Sequence, residues 1–120
     1  MDLRNRERDA TPFVTKDGST IRELLGRPTS DLVRNQSLAE ATLAPGQSTE
    51  RHHHRESEEI YFLLEGGGLV EIDGETREVV PGDAVLIPPG ARHTLRAGPE
   101  GARLLCCCAP PYRHEDTFFD

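Results

Sequence analysis

Residues 46–66, GQSTERHHHRESEEIYFLLEG, have the spacing G-x5-H-x-H-x4-E-x6-G, carried by Gly46, His52, His54, Glu59 and Gly66. A second stretch, residues 82–93, GDAVLIPPGARH, has the spacing G-x5-P-x-G-x2-H, carried by Gly82, Pro88, Gly90 and His93. Side chains alternate between the two faces of a strand, so His52 and His54 point one way and His53 the other. Two imidazoles at i and i+2 lie within reach of a single ion. A carboxylate must come from the next strand. Glu59 begins that strand, with Glu58 as its rival, and the interval to Gly66 favours Glu59. His93, after the Pro88-Pro89-Gly90 corner, would close the site. Three imidazoles and a carboxylate are borderline donors, suited to a divalent Fe, Mn, Ni, Cu or Zn ion.

The bland alternative is a solvated run of histidines. Any one of them alone would more often be structural than a ligand. What outweighs this reading is the joint spacing of four ligand-type residues with the turn-forming glycines and proline around them. The pattern predicts a metal site inside a β-barrel.

The rest of the chain agrees with that architecture. With 120 residues it fits one domain with a real core. Eleven glycines and nine prolines recur at short intervals, and helical periodicity is scarce, which favours many short strands. A net charge of -7 leaves no electrostatic footprint for nucleic acid. No apolar run is long enough to span a membrane, and the N-terminal MDLRNRERDATPF lacks the apolar core of a secretory signal. Cys106, Cys107 and Cys108 are consecutive and follow Leu104-Leu105, so they read as reduced thiols used as small core hydrophobes on a buried strand. A cytoplasmic protein is expected.

Residues 1–12 are polar and mixed in charge and read as a flexible N-terminal arm. Residues 13–112 form the expected barrel. Lys16 to Ser19 make a turn before a strand at Thr20 to Leu24, and Ser37 to Leu43 is a further strand. A polar strand from Ser48 to Arg55 would carry the histidines. Glu59 to Glu65 follows, closed by Gly66-Gly67-Gly68, and Leu69 to Ile72 leads into a hairpin at Asp73-Gly74. Glu75 to Val80, Ala84 to Ile87, His93 to Ala97 and Ala102 to Ala109 complete the set, the last two parted by a turn at Gly98 to Gly101. Such spacing points to a sandwich or barrel. In the tail, residues 113–120, His114 reads as solvated, whereas Phe118 and Phe119 are too apolar to dangle and should pack on the barrel or on a partner subunit. Arg51, Arg55 and Arg92 have outward parity and should pair on the surface.

The two spaced segments resemble the two motifs of the cupin superfamily, G-x5-H-x-H-x3-4-E-x6-G and G-x5-P-x-G-x2-H-x3-N. The match runs from Gly46 to Ala97 and departs once, because Ala97 stands where the family often has asparagine. The stretch from Gly82 to Thr94 is similar to small single-domain cupins labelled mannose-6-phosphate isomerase-like, a label that fixes no sugar substrate. The resemblance implies an all-β fold, the double-stranded β-helix or jelly-roll barrel. It also implies that His52, His54, Glu59 and His93 are metal ligands.

A metal so held keeps positions open for water or substrate, which points to an enzyme on a small polar organic molecule, of oxygenase or isomerase-epimerase type. Glu59 is a candidate acid/base, and Tyr61, sharing its parity, a weaker candidate donor to substrate. No nucleophile or second acid-base pair stands beside the motif, which keeps open a non-catalytic module that binds or senses a small molecule with the metal's help. A closed structural metal is the third reading. An open jelly-roll sheet has edges to cover, so a homodimer is expected, with the first 30 residues available to cross a two-fold axis.

Overall fold

The computed structural model describes all 120 residues and is almost wholly antiparallel β-structure. Its strands are β1 (Phe13–Val14), β2 (Thr20–Leu25), β3 (Ser37–Leu43), β4 (Glu58–Ile72), β5 (Glu75–Val79), β6 (Ala84–Ile87) and β7 (His93–Ala109). They run in the order β1-β2-β3-β7-β4-β5, with β6 paired to the free side of β4. No helix is long and apolar enough to cross a membrane.

The two long strands build the barrel. The first half of β4 pairs with β6 and the second half of β7, and the second half of β4 pairs with β5 and the first half of β7. Each long strand therefore belongs to both sheets and bends between them. The sheets face one another: Tyr61, from the first, has its ring 6.2 Å from that of His93, from the second. This is the expected double-stranded β-helix. Leu63, Ile87, Leu95 and Leu104 are the largest apolar side chains almost wholly removed from water, and each contributes roughly 1.5–3 kcal/mol by leaving it.

Two expected breaks are not breaks. Gly66-Gly67-Gly68 lies inside β4, and Gly98 to Gly101 lies inside β7. The glycines serve the bend: Gly66 has φ +70°, and a Cβ there would stand 2.0 Å from the carbonyl oxygen of Gly101. Register shifts at Leu63/Glu65 and Gly66/Gly68 absorb the curvature without ending the ladder. The strand expected over Ser48 to Arg55 is an extended edge instead, tied to its neighbours by isolated bridges at Ser48, His52 and His53. By contrast Asp73 (φ 49°) and Gly74 (φ 86°) make the tight hairpin that their sequence predicts.

The N-terminal residues hold a one-turn helix, α1 (Arg6–Asp9), capped by the Asn5 side chain, which accepts from the N–H groups of Glu7 and Arg8. Arg6 pairs with the buried Glu40 of β3, and Arg22 donates to the carbonyls of Arg6 and Ala10. Ala10 is buried. The segment expected as an arm thus meets the outer face of β2 and β3 through charge-assisted bonds that its own sequence does not announce.

Candidate metal centre

His52 and His93 meet across an antiparallel bridge, each N–H donating to the other's carbonyl at 3.0 and 2.8 Å. His54, two residues on, presents its ring to the same interior. One ring nitrogen from each of His52, His54 and His93 falls within 4.8 Å of the other two, and all three residues are buried. The alternation read from the sequence accounts for this. His53 lies on the opposite face, stacked on Phe118 at 5.5 Å between centroids.

Each imidazole is oriented by a backbone carbonyl. Nδ1 of His52 lies 2.7 Å from the Glu50 carbonyl oxygen, Nδ1 of His54 lies 3.0 Å from that of Asp116, and Nδ1 of His93 lies 2.9 Å from that of Ala91. A carbonyl can only accept, so each Nδ1 carries the proton and each Nε2 keeps its lone pair free for the interior. The three rings share the tautomer a metal ligand needs.

Glu59 opens inward near the start of β4, whereas Glu58 beside it is exposed. One carboxylate oxygen, Oε1, stands 3.4 Å from Nε2 of His54 and 3.5 Å from Nε2 of His93. Burial works to raise the Glu59 pKa, but the adjacent His54 and His93 outweigh it and bring it down to about 2. Burial likewise disfavours charge on His54, yet Glu59 outweighs it and moves that pKa upward. At His52 burial and the nearby His93 both act downward. Oε1 of Glu59 and Nε2 of His93 are buried without a hydrogen-bond partner. Buried polar atoms are nearly always paired, so these two orphans mark a place that a cation would satisfy. The donor set fits a divalent transition metal.

The cavity beside them offers about 60 Å³ of free space, and its lining includes Tyr61, Leu95, Leu104, Cys106 and Cys108. Tyr61 is 4% exposed, and burial drives its phenol pKa well up, so the hydroxyl keeps its proton. Cys106 and Cys108 face this cavity, and all three cysteines are free thiols. Cys108 Sγ approaches Oε2 of Glu59 at 3.6 Å.

Three features escape a reading of the sequence. Asp17, in the turn after β1, brings Oδ2 to 3.6 Å from Nε2 of His52. Glu23 lines the cavity from β2. Asp116, in the polar tail beside His114, is buried, and its carboxylate accepts from the backbone N–H groups of Arg55, Glu56 and Ser57. The tail crosses back over the histidines, pairing Phe118 with His53 through two backbone bonds. Of the outward arginines, Arg55 lies over the Phe118 ring, Arg92 donates to the Asp120 carbonyl, and Arg51 approaches Glu71 at 3.7 Å. His114 is exposed beside Tyr112.

Known proteins resemble this chain in sequence or in fold. An uncharacterized protein of Methanocaldococcus jannaschii is 50% identical over 107 residues, covering 88% of this chain and 85% of its own. The dimethylsulfoniopropionate lyase DddW of Ruegeria pomeroyi is 43% identical over 70 residues, which are 58% of this chain and 45% of the lyase. The polyketide cyclase RemF of Streptomyces resistomycificus superposes with a TM-score of 0.77 at 29% identity, over 97% of this chain and 89% of its own. The cupin-domain profile matches residues 39–108, the span that contains both motifs, β4 and all of β7 but its last residue. On barrel, motifs and relatives together, the chain belongs to the cupin family.

Proposed function

We propose that the chain is a metal-dependent enzyme acting on a small polar organic molecule in the barrel cavity. His52, His54, Glu59 and His93 hold a divalent transition metal, one of Fe, Mn, Ni, Cu or Zn. The observation that carries this reading is the pair of buried, unpartnered atoms, Nε2 of His93 and Oε1 of Glu59, amid imidazoles whose Nδ1 atoms are all tied off. When bound, the ion supplies Lewis acidity toward a substrate oxygen or, if redox-active, chemistry with O2.

The chain's own residues supply the rest. Glu59 is ionised at neutral pH, so it serves as a ligand or takes a proton from substrate. The Tyr61 phenol stays protonated and donates to a substrate oxygen. Leu95, Leu104 and Cys106 keep water from the reacting atoms. Oxygenase and isomerase-epimerase chemistry both suit such a site. The lyase and the cyclase among the relatives are named as enzymes on small molecules, which favours turnover over a metal-assisted binding module. The protein works in the cytoplasm as a homodimer, without nucleic-acid or membrane partners.

The test is elemental analysis of chain purified with each of the five metals, followed by turnover against a metabolite library. One ion per chain is expected, lost in His93→Ala, with turnover absent in His54→Ala. A chain that takes up none of the metals refutes the centre, and metal uptake without turnover leaves the binding module.

A further inference from the structure

The cavity contains two carboxylates for which the metal centre has no use. Asp17 is held by Ser19, whose backbone N–H and hydroxyl donate to Oδ1 at 2.9 and 2.6 Å. The other oxygen of Asp17 is thereby aimed at the histidine end of the cavity. Glu23 lies on the inward face of β2. Its register runs through Ala39 and Cys106 to Tyr61, so only small side chains stand between Glu23 and Tyr61 in that row. Glu23 Oε1 packs against Gly26 without a hydrogen-bond partner, and desolvation raises the carboxyl's pKa.

The rest of the lining matches these groups in sign. Phe13, Tyr61 and Tyr112 line the same space, and Tyr61 is only 4% exposed. None of the 21 lining residues is lysine or arginine. A substrate with a second anionic group would find no cation to meet it beyond the metal. The cavity's own carboxylates would repel it. A positive group would instead relieve the cost of the desolvated Glu23 carboxyl and lie against aromatic faces whose quadrupoles attract cations.

We propose that the cavity recognises a small organic cation, with an oxygen-bearing end at the histidine centre and an ammonium- or onium-type end held by Glu23 and the three aromatic rings. The inference rests on the metal reading for the oxygen end and deepens it by naming the charge of the substrate. It rules out phosphorylated and dicarboxylate compounds as preferred ligands.

The test is calorimetric titration of the zinc-loaded full chain with γ-aminobutyrate and with succinate, molecules of similar length that share one carboxylate and differ in sign at the far end. γ-Aminobutyrate is expected to bind about tenfold or more tightly than succinate, a difference of about 1.4 kcal/mol. Glu23→Gln, which keeps shape and removes charge, is expected to bring the ratio below about threefold without weakening succinate. Zinc stoichiometry, measured on the same samples, reports separately on the metal centre. Zinc bound with succinate equal or tighter, with neither compound binding, or with the ratio unmoved in Glu23→Gln overturns the inference and leaves the centre standing. Should the variant fail to fold, the wild-type ratio decides alone.

Discussion

The carbonyl oxygen of Asp116 lies 3.0 Å from Nδ1 of His54, joining residues 62 positions apart. The same residue's carboxylate gathers three consecutive N–H groups, those of Arg55, Glu56 and Ser57. Burial works against its ionisation, but the N–H donors of Ser57, Glu56 and Arg55 outweigh it and hold the carboxyl below its ordinary range. One tail residue thus fixes both the ring of His54 and the loop that leads to Glu59. Asp116→Ala strands three donors, one of them on the buried Ser57. The expected loss is about 2 kcal/mol of stability in denaturant titration. The variant keeps the backbone carbonyl that meets His54 but removes the anchor that holds it in place, so metal affinity should fall by about tenfold or more in competition titration. Unchanged affinity in a folded variant would show that the tail only covers the site.

Glu40 gives a prediction in pH. It is 3% exposed and receives Arg6 from α1 and Arg103 from β7. Desolvation pushes its pKa up, and the two guanidinium groups outweigh it and bring it below the ordinary value of 4.5. A depressed folded-state pKa contributes stability that is fully present above 4.5 and is lost as pH falls through the folded value. Both arginines are partly exposed, so solvent screens part of the effect. Glu40→Gln is expected to cost about 1–2 kcal/mol at pH 7, and the gap from wild type should close on acidification below about pH 4. Urea midpoints for both proteins across that range check it, and a gap that stays constant with pH would contradict the pairing.

What the sequence made legible is what depends on short spacing. The i, i+2 parity of His52 and His54, the inward choice of Glu59 over Glu58, and the Asp73-Gly74 hairpin are local rules, and each stands in the fold. The continuity of β4 and β7 was not legible, because a glycine that ends a strand and one that bends it have the same letter. Only the approach of Gly66 to the Gly101 carbonyl distinguishes them. Asp17, Glu23 and Asp116 were hidden for another reason. Each reaches the cavity or its histidines by a fold-over of distant chain, and a lone carboxylate in a polar segment carries no local sign of burial. Ala97, the single departure from the second motif, is buried in β7 opposite Gly68, where asparagine's polar end would need a partner.

The bends can be tested directly. A Cβ added at Gly68 would meet the carbonyl oxygen of Arg96 at 1.9 Å, and the atoms around it are paired backbone, which prevents an easy shift. Gly68→Ala should therefore destabilise by about 3 kcal/mol, the upper end for overpacking. Gly74, at a hairpin tip with φ +86°, has nothing within 4 Å, so Gly74→Ala should lose only the backbone preference, about 1 kcal/mol. Thermal midpoints of the two variants decide between steric and conformational costs, and equal losses would speak against a close approach at Gly68.

The outer face of the first sheet carries the expectation of self-association. Leu38, Cys107, Ile60 and Leu86 lie in one register row, with Leu105 and Phe62 paired beside it. Ile60, Phe62 and Leu86 are 40%, 41% and 54% exposed. The chain's net charge of -7 opposes the meeting of two copies everywhere except on such an uncharged strip. Burying the strip against its two-fold mate removes apolar area from water on both sides at once. Light scattering at micromolar concentration is expected to return twice the 13.3 kDa of one chain. Phe62→Glu, which places a charge in the strip without touching the cavity, should return the mass of one chain while metal uptake per chain stays the same. A single-chain mass in the wild type would refute the dimer, and a variant that remains double would place the contact on another surface.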